Sequence, residues 1–97
     1  MPKAYWVICH RSTRSAEKFA AFTKLAYPAI QAAGGRFLVR TSKVAKVYES
    51  GIEDRTVVIE FENLAAAKAA YETADYKEAL RALADGAERD LRIVEGV

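Results

Sequence analysis

What the chain has little of narrows its chemistry first. It carries one cysteine, Cys9, and one histidine, His10. A single thiol makes no internal disulfide, which fits a reducing compartment and sets the expected location as cytoplasmic. The two residues are adjacent, and neighbours in a strand point to opposite faces, so Cys9 and His10 make neither a catalytic dyad nor a metal-ligand set. No metal is therefore expected. The glycine fingerprints of phosphate loops and dinucleotide-binding turns are also missing, and no cofactor is expected either. Charge of neither sign is in excess: 15 Lys and Arg against 13 Asp and Glu leave +2, with the signs interspersed. That gives no electrostatic footprint for nucleic acid or anionic lipid. No apolar run approaches the ~20 residues of a membrane span, and the apolar start at Ala4 to Cys9 meets His10 and Arg11 too early for a signal peptide. Internal repeats, linkers and low-complexity tracts are absent.

What is present is a dense supply of apolar side chains, 52% of 97 residues. That makes one domain over residues 1–97, at the small end of the size range, where association often adds stability. Ala4 to Cys9 is aromatic and β-branched, as a strand is, and apolar on both faces, as a central strand is. From Ala16 the apolar spacing becomes that of a helix running to Ala33, after the polar, cap-rich turn Arg11 to Ser15. Pro28 inside it predicts a bend or short break near Tyr27. Gly34 ends it in the left-handed conformation. A strand in two parts follows, Gly35 to Tyr48, bent or bulged at Thr41-Ser42-Lys43. After a turn over residues 49–54, Arg55 to Phe61 forms the clearest strand and pairs back as a hairpin. Asn63 caps a helix from Leu64 to Tyr71. Thr73-Ala74-Asp75 interrupts it, and a second piece carries Tyr76, Leu80, Leu83 and Ala87 at helical spacing. Leu91 to Glu95 is the closing strand.

This order, strand, helix, strand, strand, helix, strand, predicts an α+β, ferredoxin-like βαββαβ antiparallel sheet with both helices on one face. Tyr5, Val7, Phe37, Val39, Val57 and Ile59 are expected on one sheet face, opposite Trp6, Ile8, Leu38 and Val58. Both faces are then apolar, and the helices cover only one. A second copy of the chain is expected on the other, giving a homodimer packed sheet to sheet.

Several segments together resemble the bacterial family called domain of unknown function 1330, within the dimeric α+β barrel superfamily. They are Ala4-Tyr5-Trp6-Val7-Ile8, Gly34-Gly35-Arg36-Phe37-Leu38-Val39-Arg40, Arg55-Thr56-Val57-Val58-Ile59-Glu60-Phe61, Tyr71 to Tyr76, and Ile93-Val94-Glu95-Gly96-Val97. The resemblance implies the same subunit and dimer and leaves the function unassigned. Superfamily relatives include cofactor-independent monooxygenases, muconolactone isomerases and plain binding proteins, so the fold alone selects no chemistry.

Among candidate site residues, His10 is the side chain whose ordinary pKa suits proton transfer near neutrality. The alternative is a surface or hydrogen-bonded residue at a strand end. Arg36 and Arg40, four apart, are expected on one face, where two guanidiniums could grip a carboxylate. Glu60 is the charge inside the best strand and must be paired or have a raised pKa. Pairing with Arg36 or Arg40 is the simpler account of all three. Tyr71 and Tyr76 flank the helix break and either line a pocket or belong to the core. The element order also equals that of an RNA-recognition module, but Val57 and Ile59 stand where stacking aromatics are needed, which excludes nucleic acid as a partner. Two readings remain: a pocket for a small organic acid or aromatic compound, with His10 and Arg40 or Tyr76 assisting proton transfer, or a non-catalytic ligand-binding or structural dimer module.

Overall fold

The computed structural model describes residues 2–97. Seven elements follow one another: β1 (Ala4–Thr13), α1 (Ala16–Ala32), β2 (Arg36–Thr41), β3 (Thr56–Phe61), α2 (Leu64–Tyr71), α3 (Ala74–Leu83) and β4 (Ala87–Glu95). The strands form one antiparallel sheet in the order β2-β3-β1-β4, the ferredoxin-like arrangement expected from the sequence. The whole is only 16 Å thick across its thin dimension, two layers of secondary structure, so the helices cover one sheet face.

Each helix begins at the residue whose side chain can satisfy an orphan N–H. Ser15 Oγ accepts from the Lys18 amide at 3.2 Å, the Asn63 side-chain carbonyl from the Ala66 amide at 2.8 Å, and Thr73 Oγ1 from the Tyr76 amide at 3.2 Å. α1 ends in a paired-glycine cap. Gly34, at φ +94°, donates to the Gln31 carbonyl at 3.0 Å, and Gly35 donates to the Ile30 carbonyl at 2.9 Å. Gly35 serves a second purpose: a Cβ there would sit 2.6 Å from Ile30 Cγ2 and 2.9 Å from Ile59 Cγ2. The chain therefore turns from α1 into β2 in direct contact with the core.

Register decides which side chains share a face. Trp6 stands opposite Ile59 and Ile8 opposite Val57. Ala4, Trp6, Ile8, Val57, Ile59 and Phe61 consequently all point to the helices and are buried, together with Phe22, Ala26, Ala29, Ile30, Ala67, Tyr76 and Leu83. This corrects the expected grouping, since Val57 and Ile59 lie with Trp6 and Ile8 rather than with Tyr5 and Val7. Counting along one strand gives its alternation but not its phase against the next strand. Trp6 anchors the core, its indole N–H donating to the Ala67 carbonyl at 2.8 Å.

Three boundaries also differ from expectation. The stretch Val44 to Tyr48 is not strand: β2 and β3 pair only as far as Thr41 with Thr56, leaving residues 42–55 no partner strand. β1 and β4 are both longer than predicted, because Thr13 pairs with Ala87, which takes Ala87 out of the helix. α1 runs unbroken through Pro28, which is exposed while Ala26, Ala29 and Ile30 hold both sides of it in the core. The Pro28 ring removes a hydrogen bond on the solvent side, and packing on the opposite side outweighs that roughly 3 kcal/mol cost.

Candidate functional site

At one end of the sheet β1, β2, β4 and the residue just before β3 each direct a basic or imidazole group toward the helices. Arg40 on β2 stands opposite Val57. Arg55 comes two residues before Val57 on the same side, and its carbonyl accepts the backbone N–H of His10 at 2.9 Å. Arg89 on β4 is in register with His10 on β1. The spatial order across the sheet is therefore Arg40, Arg55, His10, Arg89. With α1 these residues enclose a cavity of about 40 Å³ that opens to solvent, its remaining wall made chiefly of Ile8, Phe19, Phe22, Tyr27, Phe37 and Tyr76.

The aromatic rings of the wall hold the guanidiniums by their faces. Arg40 lies 4.2 Å from the Tyr27 ring centre and 5.4 Å from that of Phe37, Arg55 lies 5.7 Å from Phe19, and Arg89 lies 4.5 Å from Phe22. Such contacts stabilise a cation by about 0.5–1 kcal/mol but leave its hydrogen-bond donors free. Among the described residues Arg11, Arg14, Arg36, Arg81 and Arg92 each hold a carboxylate within 4.0 Å. The remaining arginines, Arg40, Arg55 and Arg89, hold none, and no Asp or Glu lines the cavity. The Arg55 pKa is pushed down, first by burial and then by the charge of Arg40.

His10 is 4% exposed. Its Nε2 shares a hydrogen bond with Thr13 Oγ1 at 2.7 Å, and its ring meets Phe19 edge-on at 4.9 Å. The β-bulge between His10 and Ser12 brings Thr13 round to that nitrogen. Burial lowers the His10 pKa; the Asp54 carboxylate opposes this, while Arg89 and Arg55 push further down. The imidazole is accordingly neutral at pH 7 and able to accept a proton. Tyr76 is buried and its hydroxyl accepts from Arg89 Nη2 at a long 3.5 Å. Burial raises its pKa and Arg89 pulls it back, which leaves a neutral phenol.

The predicted site residues divide between the two sheet faces. His10, Arg40 and Tyr76 meet at the cavity. Tyr71 packs on Trp6 and Tyr76, with ring centres 5.9 and 5.1 Å away, and does not line it. Arg36 and Glu60 pair at 3.3 Å on the uncovered face, where Tyr5 Oη donates to Glu60 at 3.4 Å. Arg36 and Arg40 thus do not share a face, contrary to expectation. Arg36 pairs with Glu60 and Phe37 with Ile59, but Val39 pairs with Val58, so a bulge at Leu38 inverts the alternation. Arg55 and Arg89 were missed as candidates. Arg89 alternates with Leu91 and Ile93, and Arg55 with Val57 and Ile59, so counting back by twos along each strand would have found both.

A second hollow lies on the uncovered face. It has about 350 Å³ and is bounded by Cys9, Arg92 and Thr56 on the sheet and by Val44, Val47 and Ile52 of the 42–55 loop. Among the described residues no group of three His, Cys, Asp or Glu side chains is placed to hold a metal ion.

The family described as domain of unknown function (DUF1330) matches residues 3–97. The chain belongs to that family. None of the curated proteins matches this DUF1330 member. Solved structures share its fold at low identity. A protein of unknown function from Rhodopseudomonas palustris superposes with a TM-score of 0.75 at 16% identity, over 99% of this chain and 83% of its own. One from Nitrosomonas europaea, provisionally named an antibiotic biosynthesis monooxygenase, gives 0.59 at 20% identity over 98% of both chains. A dimeric ferredoxin-like protein of unknown function from Thermobifida fusca gives 0.55 at 14%, over 98% of this chain and 92% of its own. Identities this low carry the fold and not the chemistry.

Proposed function

We propose that this DUF1330 protein binds a small organic acid between α1 and the sheet, and works as a homodimer joined through the uncovered sheet faces. The observation that carries the first part is the row Arg40, Arg55, His10, Arg89: three guanidiniums without carboxylates in an otherwise apolar cavity. Arg55, its charge partly desolvated and beside that of Arg40, is unfavourable without a counter-ion, and an anion at the row relieves it. The apolar wall takes the carbon skeleton, and His10 is the group that can move a proton on it without a cofactor.

The dimer rests on the sheet's other side. Tyr5, Val7 and Val58 share that face, and Leu38, Val39 and Val94 are 45, 39 and 42% exposed. These apolar side chains form a strip between the Arg36–Glu60 and Arg92–Asp90 ion pairs that a second copy would cover, and the fold is shared with a T. fusca protein described as dimeric. Sedimentation should give twice the chain mass at micromolar concentration; a monomer there refutes the dimer.

Thermal shift against a panel of small carboxylates and phenols, in wild type and His10→Ala, tests the cavity. At a ligand concentration 100 times Kd the stabilisation is about 2.7 kcal/mol, several degrees for a domain of this size. A panel in which no carboxylate raises the melting point refutes the reading.

A further inference from the structure

Resting on the organic-acid reading, the placement of the three free guanidiniums narrows the ligand class, and we infer that it is a short dicarboxylate held at both ends, one carboxylate at Arg40 and Arg55 and the other at Arg89 and the Tyr76 hydroxyl. The guanidiniums are seated on different rings: Arg40 over Tyr27 and Phe37, Arg55 over Phe19, Arg89 over Phe22. Arg40 and Arg89 stand on the sheet's two outer strands, three strand spacings apart, about 14 Å between backbones. Both lean inward, Arg40 onto Tyr27 and Arg89 onto Phe22. Those rings are five residues apart on α1, a rise of about 7.5 Å along its axis. One carboxylate paired with the guanidinium on one ring leaves the guanidinium at the other end of the row uncompensated.

The two ends are chemically distinct. Arg55 is close enough to Arg40 for each to feel the other's charge, so together they form one doubly cationic end. Arg89 reaches the Tyr76 hydroxyl at 3.5 Å, which gives the other end one charge and one neutral donor. Between them the surface is apolar, with Ile8, Val57 and Phe19 beside the His10 ring. A molecule with charge at its tips and methylenes in its middle matches that sequence. The hollow beneath the row, about 40 Å³, seats roughly three waters, room for a skeleton of few carbons.

Isothermal titration of the wild-type protein with three-, four-, five- and six-carbon saturated dicarboxylates, the four-carbon monocarboxylate and inorganic phosphate tests this. The expected result is a dicarboxylate binding at least tenfold tighter than the monocarboxylate and tighter than phosphate. Arg89→Gln should bring that dicarboxylate to the monocarboxylate's affinity and be partly rescued by Arg89→Lys. Equal affinity for mono- and dicarboxylate, or phosphate binding tightest, overturns the dicarboxylate assignment while the organic-acid site stands. An Arg89→Gln protein that keeps its preference, with circular dichroism like wild type, overturns the two-ended assignment as well. Failure of every carboxylate to bind overturns the underlying site and the inference together.

Discussion

Replacing Gly35 by alanine is the sharpest test of how this fold is assembled, because the neighbouring Gly34→Ala provides its control. At Gly34 the obstacle is conformational: φ is +94°, and an added Cβ meets nothing within 4 Å. The expected loss is the left-handed penalty, about 1 kcal/mol. At Gly35 the obstacle is steric. The new Cβ would lie 2.6 Å from Ile30 Cγ2, 2.9 Å from Ile59 Cγ2 and 3.0 Å from Phe61 Cζ, all at least half an ångström inside van der Waals contact at about 3.5 Å or more. None of the three can swing away, since Ile30 and Ile59 are β-branched and all three are buried in the core. Overpacking of this kind costs about 1–3 kcal/mol, and three simultaneous overlaps place Gly35→Ala at the upper end. For a domain under 100 residues that corresponds to a fall in Tm of roughly 10–20 °C, against about 4–8 °C for Gly34→Ala. Differential scanning calorimetry of the three proteins reads both. Because Ile30 and Ile59 also line the cavity, Gly35→Ala should reduce carboxylate binding as well as stability. A Gly35→Ala protein as stable as Gly34→Ala would refute the claim that contact, rather than conformation, fixes this residue.

Two further outcomes follow from local geometry and charge. Ala84 has φ 47° and ψ −119°, and the Gly86 amide donates to the Leu83 carbonyl at 2.7 Å, a type II′ turn in which this position favours glycine. Strain of about 1–3 kcal/mol outweighs the added freedom of the unfolded chain, about 0.4–1, so Ala84→Gly should raise stability by about 1 kcal/mol in urea denaturation. His10 has a lowered pKa, so the folded state binds fewer protons than the unfolded state between that value and 6.5. Its contribution is fully present above pH 6.5 and is lost as pH falls toward the folded pKa; melting curves from pH 7.5 to 5 should drop less steeply for His10→Gln than for wild type, and parallel curves would refute the buried neutral imidazole.

The sequence by itself determined the elements and their order, since hydrophobic period, the cap-rich turn Arg11 to Ser15, the Asn63 cap, the interruption at Thr73-Ala74-Asp75 and the Gly34-Gly35 stop are local signals. It also determined that His10 lies on the face of Trp6 and Ile8, because alternation within one strand needs no knowledge of its neighbours. The tertiary structure decided what depends on pairing. The phase of β3 against β1 assigned Val57 and Ile59 to the helix side. The bulge at Leu38 sent Arg36 to Glu60 and Arg40 to the cavity. Residues 44–48 lost their strand because no partner reaches them, and β4 gained four residues, Arg89 among them, because β1 does. The cationic row exists only across four strands distant in sequence. Each of its members is an ordinary side chain in its own segment, and hydrogen-bond register is what gathers them around one cavity.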